Sequence, residues 1–276
     1  MTTFDELARR PDDAIDIALG AAMVAKDVYE TLDPDSIVEQ LDVLAAPLAR
    51  LDLERVTPLK QAESITERFR DLGFHGNVED YYDPKNSLLP DVLERRIGIP
   101  ITLSIVWCEL ARRCGVRACG VGFPGHFLVR VDDPCGPRDA KPIIVDPFAG
   151  GRVLDDEGAE ALLRRALGDG AAMHSSLFAP ATPRAILVRL LTNLKAIWAN
   201  RGEHARAFVT IDRIVTLVPD SARMLRERAG IALKLGIVEL ARADLARVLE
   251  LEPEAPDIPA IERRLAELAG SARIIN

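Results

Sequence analysis

A histidine and an aspartate near the middle of the chain are the residues best suited to chemistry. His126 opens a strand-like run, His126–Val131, and Asp146 lies in a later run, Ile143–Phe148. A carboxylate beside an imidazole holds one tautomer of the ring and stabilises its charged form, and this is the base and orienting pair of a nucleophilic triad. The sequence therefore predicts that His126 and Asp146 form a pair.

The nucleophile of such a triad would have to come from the helix before these strands. Pro100 fits the first turn of that helix, where a missing N–H costs nothing, and Gly115 fits its C-terminal stop. Pro100 has no nucleophilic atom. Thr102 and Ser104 follow within the first turns, but a hydroxyl is far less acidic than a thiol and would need close contact with His126. Catalysis through either hydroxyl stays open as an alternative.

A loop before this helix offers further polar side chains. Gly-Asn and Asp-Pro turn signals predict a loop between His75 and Asn86. Because binding residues concentrate in loops, Asn86, His75 and Pro100 are candidates to line a pocket at His126. The alternative is an exposed His75 and an Asn86 that caps the short helix after it.

Metal and cofactor chemistry finds little support in the sequence. The four cysteines lack the C-x-x-C spacing of zinc sites: Cys108, Cys114, Cys119 and Cys135. Cys108 lies two turns inside the central helix, beyond the N-terminal dipole that lowers thiol pKa values, and is interpreted as a core thiol. His75, His126 and Asp146 are not spaced along the sequence as the ligands of a metal-binding motif are. We therefore predict neither a metal ion nor a cofactor.

Three helices are predicted to precede the central helix and to pack on it. One extends over residues 4–32, a second begins at a capping box on Ser36, and a third runs from Thr57 to Gly73. They form a predicted N-terminal helical layer, residues 1–75. The helix and strands around His126 form a core, residues 76–180, which ends in a linker-like stretch of small residues.

The C-terminal part of the chain, residues 181–276, is repetitive. Gly202 and Gly236 are 34 residues apart, and so are Pro219 and Pro253. This period, with a closing proline, is the signature of tetratricopeptide repeats, in which pairs of helices stack into a solenoid. The sequence therefore predicts an all-α tail of two repeats and a final helix.

In such repeats the first helices line a concave groove. Five polar residues fall on the predicted first helices and are candidates for binding an anionic or C-terminal partner: Arg189, Asn193, Arg223, Arg226 and Lys234. The alternative is a set of solvated helix charges. The oligomeric state and the partner's identity do not follow from the sequence.

Composition limits the function classes. The hydrophobic share of 48% is enough for a folded core. A net charge of −8 disfavours binding to nucleic acid or to an anionic membrane. The apolar uncharged run Ile97–Cys108 is too short to span a bilayer, and the first residues show no secretory signal pattern. We expect a cytoplasmic location.

Three stretches of the core also carry a resemblance: RRIGIPITLS, GVGFPGHFLVR and VDPFAGG. They resemble the core of transglutaminase-like proteins, relatives of papain-type cysteine proteases. They are more similar still to the bacterial SirB-one-like family, which joins such a core to a tetratricopeptide tail. The resemblance covers roughly residues 30–260 and is densest over 76–151. It implies an α+β fold in which helices and an antiparallel sheet form the core and an all-α tail follows.

The resemblance also implies where a nucleophile would stand. Active members of the wider superfamily carry a cysteine at the N-terminus of the central helix, and counting back from the glycine stop reaches Pro100. We therefore expect a non-enzymatic regulatory protein that binds a protein or peptide partner through its tail. The alternative is a peptide or amide hydrolase or acyltransferase that uses Ser104 or Thr102 with His126 and Asp146.

Overall fold

A computed structural model describes residues 2–133, 136–137 and 141–272. The chain divides into two compact units, one of Arg10–Leu190 and one that joins Met1–Arg9 to Leu191–Asn276. Helices dominate both units, and the strands all belong to the first. The predicted α+β class is confirmed, whereas the predicted three-part domain organisation stays a prediction.

Five helices come before the central one. They are α1 (Phe4–Ala8), α2 (Ile17–Lys26), α3 (Pro34–Ala45), α4 (Pro58–Asp71) and α5 (Leu89–Arg95). The prediction of one helix over residues 4–32 is wrong, because the helix is interrupted near Pro11. A second helix begins after Asp16, whose side chain accepts a hydrogen bond from the N–H of Leu19.

The start of α3 also differs from the prediction. Asp33, not Ser36, is the N-cap residue, and its side chain accepts a hydrogen bond from the N–H of Asp35. Pro34 occupies the first turn, where its missing N–H costs no helix bond. The Asp-Pro pair was the stronger start signal. By contrast, α4 begins after Thr57 and is followed by Gly73 in the left-handed conformation, as predicted.

The central helix α6 (Pro100–Arg113) begins and ends as the sequence predicts. Pro100 is in the first turn, and Gly115 has a φ of 74° just after the helix. Almost every side chain of the first three turns is buried, including Trp107, whose indole N–H donates to the Thr66 hydroxyl of α4 at 3.3 Å. Burial on all sides makes α6 the core element of the first unit.

Four short strands form an antiparallel sheet in chain order. They are β3 (Ala118–Val121), β4 (Leu128–Val131), β5 (Ile143–Asp146) and β6 (Arg152–Leu154). A separate parallel pair, β1 (His75–Gly76) and β2 (Ile97–Gly98), joins the ends of α4 and α5. The sequence predicted the strands at β4 and β5 but not β6, which is only three residues long and follows two glycines with positive φ.

The segment between the sheet and the tail packs on the core. After α7 (Asp156–Leu167), residues 168–182 include a short 3₁₀ turn, Ser175–Phe178. Phe178 stacks on the buried Phe123 with ring centroids 5.7 Å apart. The stretch predicted to be a linker therefore contributes apolar side chains to the hydrophobic core beside the sheet.

The remaining helices follow the predicted repeat. They are α8 (Pro183–Asn200), α9 (His204–Leu217), α10 (Ala222–Lys234), α11 (Val238–Leu251) and α12 (Ile258–Ala272). Gly202 and Gly236, 34 residues apart, have φ angles of 75° and 74°. A left-handed residue between two helices favours glycine, so the periodic glycines mark equivalent turns within the two helix pairs.

Candidate functional site

His126 and Asp146 approach each other from neighbouring parts of the sheet. A tight turn before β4, closed by a 3.0 Å hydrogen bond from the N–H of His126 to the carbonyl of Phe123, positions the imidazole. Asp146 is the last residue of β5. The imidazole Nε2 lies 3.0 Å from Oδ1 of Asp146, and the two side chains are 12% and 6% exposed. The structure thus brings the two predicted residues together in a nearly buried place.

The contact has the distance of an ion pair but not the direction of a hydrogen bond. Within the described part of the chain, buried Nε2 of His126 has no hydrogen-bond partner. Oδ1 of Asp146 instead accepts from the N–H groups of Phe148 and Ala149, at 3.0 and 3.2 Å. The carboxylate therefore closes the turn after β5, and its attraction to the imidazole is electrostatic and requires a protonated ring.

Aromatic rings border the imidazole on one side. Phe148 meets the ring of His126 edge to face at 5.9 Å, and Tyr81 meets Phe148 at 6.2 Å. Burial raises the pKa of Tyr81, with the neighbouring Tyr82 adding to the shift and Arg189 opposing it. The phenol is therefore neutral at physiological pH and can only act as a neutral donor or acceptor. Phe148 was not among the predicted site residues, although it lies in the VDPFAGG stretch that carries the resemblance.

The two candidate hydroxyls form hydrogen bonds with the backbone. Thr102 donates to the carbonyl of Asn86 at 2.7 Å and accepts from the N–H of Ile99 at 3.1 Å. Ser104 donates to the carbonyl of Phe127 at 3.4 Å. Both side chains are buried. In this geometry Thr102 fixes the first turn of α6, and the proton of Ser104 is directed at the backbone rather than at an imidazole nitrogen.

Asn86 organises the loop that the sequence predicted. It is fully buried, its Oδ1 accepts from Asn77, and its Nδ2 donates to the carbonyls of Asp80 and Tyr81, at 2.7 and 3.3 Å. The alternative that Asn86 caps α5 is wrong, because Leu88 is the N-cap residue and has no capping side chain. Asn86 thus holds the Tyr81 loop in place beside the His126 site.

The other two predicted pocket residues differ in environment. His75, the first residue of β1, is exposed, and its Nδ1 lies 2.9 Å from the carbonyl oxygen of Gly73. Pro100 is buried in the first turn of α6. The helix N-terminus, where a thiolate would be stabilised, therefore carries a side chain without a reactive atom.

The described cysteines are poor nucleophiles. Burial raises the pKa of Cys114 and of Cys119 to about 11. Burial, with a smaller contribution from Cys119, raises the pKa of Cys108 well above its ordinary value. Cys108, Cys119 and Ser104 border an apolar cavity of about 180 Å³, which suits thiols that stay protonated. The prediction for Cys135 lies outside the described residues.

The described ranges contain neither a metal-binding cluster nor a membrane-spanning helix. No group of three or more histidine, cysteine, aspartate or glutamate side chains is arranged there to hold a metal ion. No helix in those ranges is both long and apolar enough to cross a membrane.

Two of the five predicted partner-binding residues, Arg223 and Arg226, have intramolecular ion-pair partners. Arg226 pairs with Asp257 and Glu252 at 2.7 and 2.6 Å. Arg223 lies 3.2 Å from Glu227, which Lys195 also contacts.

Arg189 and Lys234 are exposed, whereas Asn193 is half-buried. Arg189 belongs to the first unit, and Asn193 and Lys234 belong to the second. Glu227 lies one turn after Arg223 on α10, whereas Glu252 and Asp257, the partners of Arg226, lie between α11 and α12, where a linear pattern does not identify them.

Fold and site together define a transglutaminase-like protein joined to helical repeats. Residues 35–192 match the transglutaminase-like superfamily, and residues 194–266 match the tetratricopeptide repeat. The chain is 38% identical to a UPF0162 protein of Xylella fastidiosa (strain 9a5c) over 272 residues, which cover 96% of this chain and 94% of that protein. The UPF0162 protein of Pseudomonas aeruginosa is 32% identical over 266 residues, with 96% and 94% covered. The chain therefore belongs to the UPF0162 family.

A more distant similarity covers only part of the chain. The F-box only protein 21 of Homo sapiens is 29% identical over 175 residues, which cover 60% of this chain and 26% of that protein. No solved structure matches the chain. The tetratricopeptide match gives the tail the capacity for protein–protein interaction that the sequence predicted.

Proposed function

We propose that this chain is a non-enzymatic interaction protein of the SirB-one-like type, with a transglutaminase-like core that lacks its nucleophile. The observation that carries the proposal is Pro100 in the first turn of α6. A cysteine there would gain from the helix dipole, and an imidazole base within reach would activate it further. Proline offers no atom that could form a covalent intermediate, so His126 and Asp146 have no group to activate.

The hydrogen bonds of the neighbouring hydroxyls support the same proposal. Thr102 would have to break its bonds to Asn86 and Ile99, which fix the start of α6. Ser104 would have to leave the carbonyl of Phe127 and turn toward His126. A buried hydroxyl with two backbone partners is expensive to redirect, because each lost bond leaves a buried polar group unpaired. The hydrolase alternative rests on Ser104, because its hydrogen bond to the carbonyl of Phe127, at 3.4 Å, is longer than the two hydrogen bonds of Thr102.

The tail supplies the proposed binding function. Exposed cationic side chains on α10, Arg223 and Lys234, suit an anionic segment or a C-terminal carboxylate, and Arg189 on α8, which belongs to the first unit, is a further candidate. Arg226 is fixed by Asp257 and Glu252, so its proposed role is to shape the groove. With a net charge of −8, the chain is a poor ligand for nucleic acid, and a protein or peptide partner fits better.

Partner capture by the full chain tests this function. The proteins retained from an extract of the native cell are compared for the wild type, Arg189→Ala/Arg223→Ala and His126→Ala. The control, Arg242→Ala/Arg247→Ala, also removes two charges, but from α11, the second helix of its repeat. We expect the wild type to retain a group of proteins that Arg189→Ala/Arg223→Ala does not retain, and that the control and His126→Ala still retain. Binding of these proteins should weaken as the salt concentration rises.

The same experiment can contradict the proposal. A retained set that is equal in both double variants excludes the groove. Hydrolysis or amine exchange of peptide amides by the wild type, lost in both His126→Ala and Ser104→Ala, would establish the hydrolase alternative instead.

A further inference from the structure

A narrow cavity of about 180 Å³ lies between α6, the edge strand β3 and the first turn of α8, within the first unit. Ser104, Cys108 and Arg112 line it at successive turns of α6, so it follows that helix for about 12 Å. Most of its other walls are apolar side chains: Ile17, Ile105, Ala118, Phe127, Pro183 and Ile186. The cavity is therefore elongated and largely apolar.

Gly120 of β3 allows the walls of this cavity to pack closely. A Cβ atom at this position would lie 2.6 Å from Cε1 of Phe127 and 3.1 Å from Cδ1 of Ile186. Both of these side chains are buried, so the wall that they form is held by close packing. Arg112 is exposed and Cys108 is half-buried, so the cavity opens to solvent at the end of α6. A small molecule can reach it from there.

The charges at the cavity neutralise each other. Among the described residues that line it, only Glu109 and Arg112 are charged, and Nη2 of Arg112 lies 2.9 Å from Oε2 of Glu109. The buried carboxylate of Glu109 is also contacted by Arg113, one turn further along α6. A ligand in the cavity would therefore meet no unpaired carboxylate or guanidinium among these residues.

The remaining polar side chains of the cavity are neutral. Ser104 donates to the carbonyl of Phe127 at 3.4 Å, and Sγ of Cys119 lies 3.9 Å from the carbonyl of Arg130. Burial raises the pKa of Cys108 and of Cys119, so both thiols are protonated at neutral pH. A protonated thiol behaves as a small apolar group, and sulfur makes favourable contacts with the edges of aromatic rings.

We propose that this cavity binds a small uncharged molecule of about the size of one aromatic ring. Apolar cavities of about 150 Å³ bind benzene, so a volume of about 180 Å³ fits one ring with a short substituent. A charged ligand would lose its hydration against walls that offer no counter-charge among the described residues. The site requires neither the tail nor a nucleophile, and it goes beyond the proposed interaction function.

Three ligands of similar size test the assignment with the full chain at pH 7. Benzyl alcohol is neutral, benzoate is an anion and benzylamine is a cation. Ligand-observed NMR titrations at equal ionic strength measure the binding of each to the wild type. We expect saturable binding of benzyl alcohol and at least about tenfold weaker binding of the two ions. The proposal would be overturned if benzyl alcohol did not bind saturably, or if either ion bound as tightly.

Substitutions that fill the cavity locate the ligand. Ala118→Leu and Cys108→Leu each enlarge a side chain that lines it. Ala161→Leu makes the first of these changes at an exposed position of α7 and is the control. We expect at least about tenfold weaker binding of benzyl alcohol in each filling variant and unchanged binding in the control, with thermal unfolding confirming that each variant is folded. Binding equal to that of the wild type in both filling variants would overturn the proposal.

Protection of the thiols provides a measurement that needs no substitution. Cys108 and Cys119 line the cavity, whereas Cys114, which follows α6, does not. Benzyl alcohol at about ten times its Kd should slow the alkylation of Cys108 and Cys119 by iodoacetamide about tenfold and leave that of Cys114 unchanged. Mass spectrometry of the peptides assigns each rate. Equal rates with and without benzyl alcohol, or equal protection of all three thiols, would show that the ligand does not occupy this cavity.

Discussion

Oδ1 of Asp146 lies 3.0 Å from Nε2 of His126 while accepting hydrogen bonds from two backbone N–H groups of the following turn. In a triad, the carboxylate orients the base. In this chain the same oxygen also fixes the turn that leads from β5 to β6. Asp146 is therefore needed for the local fold whether or not the imidazole has a reaction to perform.

The first prediction separates these two roles of Asp146. We expect Asp146→Ala to lower the free energy of unfolding by about 1–3 kcal/mol, because two N–H groups lose their acceptor in a nearly buried turn. Asp146→Asn keeps an acceptor oxygen and should lose less. Urea unfolding monitored by circular dichroism measures both changes.

An exposed aspartate is the control for this comparison. Asp156 pairs with Lys141, and both side chains are more than four-fifths exposed. Asp156→Ala should therefore change the free energy of unfolding by less than about 0.5 kcal/mol. If Asp146→Ala lowered the free energy of unfolding no more than Asp156→Ala does, the turn after β5 would not depend on the carboxylate of Asp146.

The second prediction concerns the native thiols. With pKa values of about 11, only about one in a thousand of the Cys114 and Cys119 thiols is ionised at pH 8. Burial also raises the pKa of Cys108 well above its ordinary value. Alkylation of folded Cys135→Ser protein by iodoacetamide should be slow and accelerate about tenfold per pH unit between pH 7 and 10. Mass spectrometry follows the added groups. A rate that levels off below pH 9 would identify an activated thiol, which would contradict the inert role.

The third prediction concerns the ion-pair cluster of the tail. Arg228 on α10 contacts Asp212 of α9 at 2.6 Å and buried Asp244 of α11 at 2.6 Å, so one guanidinium joins three helices. Arg228→Met leaves the carboxylate of Asp244 buried without its partner. We expect a loss of about 3–5 kcal/mol in the free energy of unfolding, measured in urea.

Two further variants test the cause of that loss. Replacing both partners, Arg228→Met with Asp244→Leu, should recover a large part of it, because an apolar pair leaves no unpaired charge. Arg264 pairs with Glu267 in solvent, and Arg264→Ala should cost less than about 1 kcal/mol. No recovery in the double variant would indicate that packing, not charge, explains the effect of Arg228.

Local signals were predictable from the sequence, and contacts between distant residues were not. Pro100 and Gly115 mark the ends of α6, because proline and glycine act through their own backbone angles. The contact of Phe148 with His126 depends on how the turn after β5 folds back. The partners of Arg226 lie 26 and 31 residues away, on α11–α12 segments whose docking no linear pattern specifies.

The last prediction restores a thiol at the start of α6. In a Cys135→Ser background, we expect Pro100→Cys to add one rapidly alkylated thiol with a pKa below the ordinary value of about 8.5, because the helix N-terminus stabilises a thiolate. Replacing a first-turn proline removes no hydrogen bond, so the fold should persist. The dependence of the iodoacetamide rate on pH gives the pKa of the new thiol.

A matched thiol and a second substitution decide what this result means. Val78 is 78% exposed in the loop, so Val78→Cys provides an unperturbed thiol in the same protein. If His126 faces the start of α6, adding His126→Ala to Pro100→Cys should raise the pKa of the new thiol, because the positive charge of the imidazolium no longer favours the thiolate. Identical titrations of Cys at positions 78 and 100 would show that the helix start does not stabilise a thiolate, and the proposal of a lost nucleophile at Pro100 would be wrong. A lowered pKa that depends on His126 would show that the core retains the geometry of a thiol enzyme and lacks only the sulfur.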